Sequence, residues 1–340
     1  PIMTLQTLPV DANGTVLAYT DTGKPATDTY TTIFAIHGMN FNGLVFKRLG
    51  AAAAKQNIRL VAVNRRQYEG STPYAGAEGF IPITGSDEEK AGFLASRGIE
   101  LANFVSTFIE KNELPPISAD GKTGGVAFLS WSAGSTLPCA AIANIGSLSA
   151  DAQARFKSHL RAHVMYETPS LALGLPLPPD NWSPHIDKSI PEEKHALMFT
   201  SWISGYFDHG DLSTRDLKVL NYHVPSPYRR PSIYDMTKEE VDSMVDMRVV
   251  EIPAMFMSMA QANAAYKKAL FDKEIKTLVP SLKTTYITGD ATASYSIAAL
   301  WSIEDDNKAE GGNVKTVVVP GVNHFFHWED SEGALKVFLD

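Results

Sequence analysis

One cysteine, Cys139, stands among 340 residues, and a lone thiol excludes any intrachain disulfide framework. A reducing compartment fits, so the cytoplasm is the expected location; a secreted protein built without disulfides is the other reading left open. Positive charge is also in short supply. Thirty Lys and Arg against 38 Asp and Glu give a net charge of −8, which offers no basic footprint for nucleic acid. No apolar run approaches membrane-spanning length, so no membrane span is expected. The opening PIMTLQTLPV has no basic stretch followed by a long apolar segment, so no leader is visible, and a processed N-terminus would hide one. Internal repeats and low-complexity tracts are missing. Metal-ligand spacing is missing too: His324 and His327 lack a third ligand, and His159 and His163 straddle a helix-to-strand junction. No metal and no cofactor are expected.

What is there is an ordinary globular balance, 44% hydrophobic and 10% aromatic, ample for a large core in one or two domains. Short β-rich apolar runs alternate with helical patterns. TTIFAIHG (31–38), IRLVAVNRR (58–66), GGVAFLS (124–130), HVMYE (163–167), LKTTYITGD (282–290) and VKTVVVPG (314–321) read as strands. Residues 46–56, 88–112, 135–146 and 331–340 read as helices, with Gly92 and Gly98 inside the second and a kink expected at Pro138 in the third. Such alternation predicts an α/β fold: a mostly parallel sheet with helices on both faces. Residues 168–255 break it. That interval is rich in proline, tryptophan and tyrosine and includes a polar helical piece, TKEEVDSMVDMRVVE. It reads as an inserted helical cap on a core formed by 1–167 and 256–340, since long insertions between sheet elements supply lids and binding surfaces.

The chemistry centres on FLSWSAGST (128–136). A compact apolar strand runs into Ser132, and a helix of small residues follows. A nucleophile on so sharp a turn needs small residues two before and two after it; Ser130 and Gly134 are small enough. Strand, Ser-Trp-Ser-Ala-Gly and helix together resemble the α/β-hydrolase fold family, with Ser130 replacing the usual first glycine. The resemblance spans nearly the whole chain outside the cap. It implies an oxyanion hole from two backbone N–H groups, that of Ala133 after the nucleophile and that of Met39 after the family-like His37-Gly38 pair. His37 itself reads as a loop brace. NRRQYEGST (64–72) resembles the family's Arg-Gly-x-Gly-x-Ser loop, departing from it at Gln67 and Glu69.

A serine hydroxyl needs a base, and histidine has the pKa for that work. His324, in the Gly-x-x-His arrangement of VVVPGVNHFFHWED (317–330), matches the family's position; His327 is expected to pack or hydrogen-bond locally. The acid departs from pattern. After the seventh strand the family carries Gly-x-x-Asp, whereas Gly289-Asp290-Ala291-Thr292 puts threonine in that place. Some members carry the acid after the sixth strand instead, and there this chain has Glu167. Glu167 is therefore the expected acid and Asp290 the alternative.

The fold hosts many reactions. Epoxide hydrolases and dehalogenases of this fold need an aspartate nucleophile, which Ser132 is not. The expected activity is hydrolysis of a small-to-medium apolar carboxylic ester through an acyl-serine. A lactonase, a carbon–carbon bond hydrolase or a non-catalytic small-molecule receptor are the alternatives. Trp131, Asn40, Trp202, Tyr206 and Phe207 are candidates for the substrate pocket, although aromatics of this kind also build cap cores.

Overall fold

A computed structural model of the chain describes residues 4–246 and 251–340. Eight strands form one sheet: β1 (Gln6–Pro9), β2 (Val16–Asp21), β3 (Thr32–Ile36), β4 (Arg59–Val63), β5 (Val126–Trp131), β6 (Leu160–Tyr166), β7 (Lys283–Gly289) and β8 (Val314–Val319). Their spatial order is β1-β2-β4-β3-β5-β6-β7-β8. β2 is antiparallel to both of its neighbours, and every pairing from β4 to β8 is parallel.

β3, β4 and β5 are buried along their whole length and mostly apolar because helices cover both of their faces. Within β3, Phe34 and Ile36 point into one core with Phe104 and Phe108, while Ile33 and Ala35 point into another with Phe46 and Leu129. That is the two-residue alternation of a strand read on both sides. The expected strands are all present. β1 and β2 are additions to them: a short antiparallel pair at the sheet edge, its connection closed where Asp11 Oδ1 accepts the Asn13 and Thr15 N–H groups at 2.8 and 2.9 Å.

The helix Asp87–Lys111 opens with a reciprocal Ser86–Glu89 capping box. Its Gly98 is required by packing, since a Cβ there would lie 2.4 Å from the Ala140 carbonyl carbon of the neighbouring helix. That neighbour, Thr136–Ala143, corrects the expected kink. Pro138 is its third residue, in the first turn, where the missing N–H has no intrahelical acceptor to lose.

Between β6 and β7 run short helices and 3₁₀ turns, the longest helices being Glu192–Ile203 and Met259–Phe271. In TKEEVDSMVDMRVVE, helix covers Lys238–Met244 and Val245 bridges to Phe41; residues 247–250 lie outside the described residues. Residue 255, the expected end of the cap, lies within the helix Ile252–Met257. No described helix is long and apolar enough to cross a membrane.

β3 has β4 on one side and β5 on the other, so the chain reverses its direction of travel across the sheet there. Ligands of open α/β sheets bind at such a switch point, beyond the carboxyl ends of the strands. The loops at those ends carry His37–Asn40 and Ser132.

Candidate active site

β5 and β6 are in register at their last residues, Trp131 opposite Tyr166. The next residue on each strand leaves the sheet in left-handed backbone conformation: Ser132 at φ +56° and Glu167 at φ +54°. Non-glycine residues hold that conformation at a cost of about 1–3 kcal/mol, and only where the surroundings enforce it. At Ser132 the enforcement is visible. A Cβ on Gly134 would sit 2.4 Å from the His37 carbonyl oxygen, and one on Gly38 would sit 2.8 Å from Ser132 Cβ and 3.3 Å from its Oγ. The turn is closed from both sides. Ser130, in the usual glycine's place, faces inward: its Oγ lies 3.0 Å from His163 Nε2 and accepts from Ser135 Oγ at 2.9 Å.

Glu167 is fully buried, and its carboxylate accepts four hydrogen bonds. Oε1 takes the Gly289 N–H at 2.6 Å and the Thr288 hydroxyl at 3.1 Å; Oε2 takes the Thr292 hydroxyl and His324 Nδ1, the latter at 3.0 Å. With Nδ1–H donating to the carboxylate, the lone pair of the imidazole is on Nε2. The backbone of His324 is fixed as well. Its carbonyl accepts from Trp131 Nε1 at 3.0 Å and from the Tyr166 hydroxyl at 3.2 Å, so the paired strand-end aromatics both hold the histidine. The His324 ring centroid lies 5.1 Å from that of Trp131, the residue before Ser132. Ser132 Oγ makes no hydrogen bond to His324 among the described residues. Burial first, and then the Glu167 charge, push the hydroxyls of Tyr166, Tyr286 and Tyr295 well above the usual tyrosine range, so the carboxylate is surrounded by neutral phenols.

Asp290 lies apart from this cluster. Its Oδ1 accepts the Gly321 N–H at 2.6 Å, closing the loop after β8. The loop after β3 carries Met39 and Asn40, the latter at φ +62°. His37 braces it: Nδ1–H donates to the Gly38 carbonyl at 2.8 Å and Nε2 accepts the Arg65 N–H at 3.0 Å. Burial, and then the Arg65 charge, hold the His37 ring well below the usual histidine range, which keeps it neutral. Among the described residues, neither the Met39 nor the Ala133 N–H has a backbone acceptor in the surrounding turns and loops. Among the described residues no group of three or more His, Cys, Asp or Glu side chains is placed to hold a metal ion.

No protein-family model matches the chain, and no curated protein matches it. Solved structures do. A bromoperoxidase from Bacillus anthracis aligns at TM-score 0.57 and 15% identity over 99% of both chains. An epoxide hydrolase from Vigna radiata aligns at TM-score 0.52 and 13% identity over 99% of this chain and 96% of its own. Epoxide hydrolase A from Mycobacterium thermoresistibile aligns at 0.51 and 14%, over 99% and 98%. The chain has the α/β-hydrolase fold.

On this α/β-hydrolase fold a cavity of about 730 Å³ abuts Ala133. Ser132, His324 and Glu167 are not among its lining residues. Apolar Leu137, Leu171 and Met255 share the lining with Lys90, Arg65 and Arg97. The five candidate pocket residues are placed elsewhere. Trp131 is buried beneath His324. Trp202 donates Nε1–H to the His223 carbonyl at 3.0 Å and packs against Trp182 and Phe207. Tyr206 lies beneath the Arg229 guanidinium, 3.4 Å from the ring centroid. Asn40 lies 3.1 Å from His185 Nε2 through its Oδ1 and donates to the Asp246 carbonyl.

Three residues escaped the sequence reading. Thr292 carries no charge to set against a histidine, but it donates to the glutamate that His324 contacts. Tyr166 and Asn323 hold the histidine loop, Asn323 by donating to the Ser204 carbonyl at 2.8 Å and Ser232 Oγ at 2.9 Å. Position would have found the first, since Thr292 occupies the family's acid site; nothing in composition marks the other two.

Proposed function

We propose that this chain is a serine hydrolase that cleaves carboxylic esters through an acyl-serine, with Ser132 as nucleophile, His324 as base and Glu167 as the acid that orients it. The observation that carries the reading is the Glu167–His324 hydrogen bond, formed beside a serine held at positive φ. Ser132 Oγ attacks the ester carbonyl carbon and passes its proton to His324 Nε2, while Nδ1–H keeps its bond to Glu167. The oxyanion that forms takes the Met39 and Ala133 N–H groups, which have no competing backbone acceptor nearby. His324 then gives the proton to the departing alcohol, and a water activated by the same imidazole releases the acid. The Ser132–His324 bond forms with substrate in place, as catalytic hydrogen bonds that are loose in the free enzyme commonly do. Residues 168–255 serve as the cap, tied to the histidine loop through Asn323 and to the loop after β3 through His185. Its aromatics act mainly as cap core, and the cavity beside Ala133 receives the acyl chain.

The test is labelling with a fluorophosphonate probe alongside turnover of p-nitrophenyl esters. Wild type is expected to label and turn over, and Ser132→Ala to do neither. A folded wild-type protein that does not label at Ser132 would replace this reading with that of a small-molecule receptor.

A further inference from the structure

The helix Asp87–Lys111 presents Lys90, Phe93, Leu94 and Arg97 to the cavity, the i, i+3, i+4, i+7 spacing of one helical face. Lys90 is the unusual member. It is only 8% exposed, its ammonium donates to the Met257 carbonyl at 2.9 Å, and no carboxylate pairs with it among the described residues. The other charges of the cavity are matched. Arg65 pairs with Glu251, and Arg66 and Arg97 share Glu78 and Glu100. Among the described residues, four cations therefore meet three carboxylates, Glu78 from behind the lining. Tyr74 does not make up the difference, because burial pushes its hydroxyl up to about 12. A buried ammonium without a counter-ion is costly, and at the fourth residue of a helix it also opposes the helix dipole.

We infer that the missing counter-ion arrives with the substrate: the cavity takes an acyl chain that ends in a carboxylate, and Lys90 binds that carboxylate. One excess positive charge matches a monoanion and not a phosphate dianion. Phe93, Leu94 and Leu137 supply an apolar wall for the methylenes of the chain, in a volume within the usual small-ligand range of about 300–1,000 Å³. The ester-cleaving half of this inference rests on the serine-hydrolase reading; the carboxylate-binding half does not.

The experiment compares monomethyl adipate with methyl hexanoate as substrates, and hexanoate with hexan-1-ol as calorimetric ligands, for wild type, Lys90→Met and Lys90→Arg. Wild type is expected to favour the acid-bearing ester by about tenfold or more in kcat/KM and to bind hexanoate over the alcohol by a similar factor. Lys90→Met should bring both ratios to about one, and Lys90→Arg should keep most of the preference. The wild-type ratios need no variant, so a misfolded Lys90→Met leaves the test intact. Equal handling of both esters and of both ligands by wild type would overturn the carboxylate assignment while leaving the hydrolase reading standing. Hexanoate binding that depends on Lys90, with neither ester turned over and no probe labelling, would do the reverse.

Discussion

Replacing Glu167 by glutamine separates the two candidate acids, and its effect can be worked from the donors around the carboxylate. The amide keeps one oxygen and puts an NH₂ where the other was. Turned toward the Oε1 position, the NH₂ meets the Gly289 N–H, which lay 2.6 Å from the carboxylate and cannot rotate away. Turned toward Oε2, it meets the Thr292 hydroxyl, which can rotate, and His324 Nδ1, which can change tautomer. The second orientation is favoured, and it moves the imidazole proton to Nε2, where Ser132 needs a lone pair. A wrong tautomer at this place in a serine triad costs roughly 10⁴ in kcat, about 5 kcal/mol of barrier. Asp290→Asn keeps the oxygen that accepts the Gly321 N–H, so kcat should stay within about threefold of wild type. The assay is p-nitrophenyl butyrate hydrolysis, with thermal melts to establish that both variants fold. A kcat for Glu167→Gln within tenfold of wild type, or a larger loss from Asp290→Asn, would refute the assignment of the acid.

Other perturbations follow from the same contacts. Gly38→Ala places a Cβ 2.8 Å from Ser132 Cβ, and displacing the proposed nucleophile should lower kcat/KM by about 10² or more; near-normal turnover in a folded variant would show that the loop can retreat. Ser130→Gly supplies the glycine usual at that position but leaves His163 Nε2 without its partner. Urea unfolding should show a loss of about 1–3 kcal/mol with kcat little changed, and a parallel fall in kcat would give Ser130 a role in turnover. His327 is buried with neither ring nitrogen hydrogen-bonded, and burial, then its neighbour His324, lowers its pKa to about 3. The unfolded chain takes up that proton near pH 6.5 and the folded one does not, so this contribution is intact above pH 6.5 and falls by about 1.4 kcal/mol per pH unit toward pH 3. His327→Phe should flatten the acid limb of the stability profile by that slope, and an unchanged limb would mean that the ring is protonated in the fold.

The parts of this fold legible in the sequence are those whose environment is uniform. β3, β4 and β5 are buried on both faces, so their apolar runs declare them; β1 and β2 are short, lie at the edge and are defined by pairing with each other, which no local pattern records. Pro138 shows the same limit at finer scale, since its cost depends on which residue begins the helix. The cap aromatics are ambiguous for a related reason. A tryptophan in a pocket and one in a core have the same composition, and only non-local packing separates Trp202 against Trp182 from a substrate wall. Lys90 reads as an ordinary polar position until the cavity closes around its face of the helix.

The candidate site was legible as residue types and not as conformation. Ser132, Glu167 and Asn40 carry positive φ without being glycine, and Gln67, standing where the related loop has glycine, takes φ +76°. Asparagine tolerates that conformation locally, but nothing local selects it for Ser132, Glu167 or Gln67, where tertiary contacts must impose it. At the first two the source can be traced. Trp131 and Tyr166 end adjacent strands in register, and both donate to the His324 carbonyl. The sheet register thus sets where the two strained residues begin, and the same pair of aromatics holds the histidine that bonds to one of them, Glu167. Disturbing either aromatic should therefore move the histidine relative to Glu167 and, in the proposed triad, to Ser132 at once, an effect distinct from removing any one of the three.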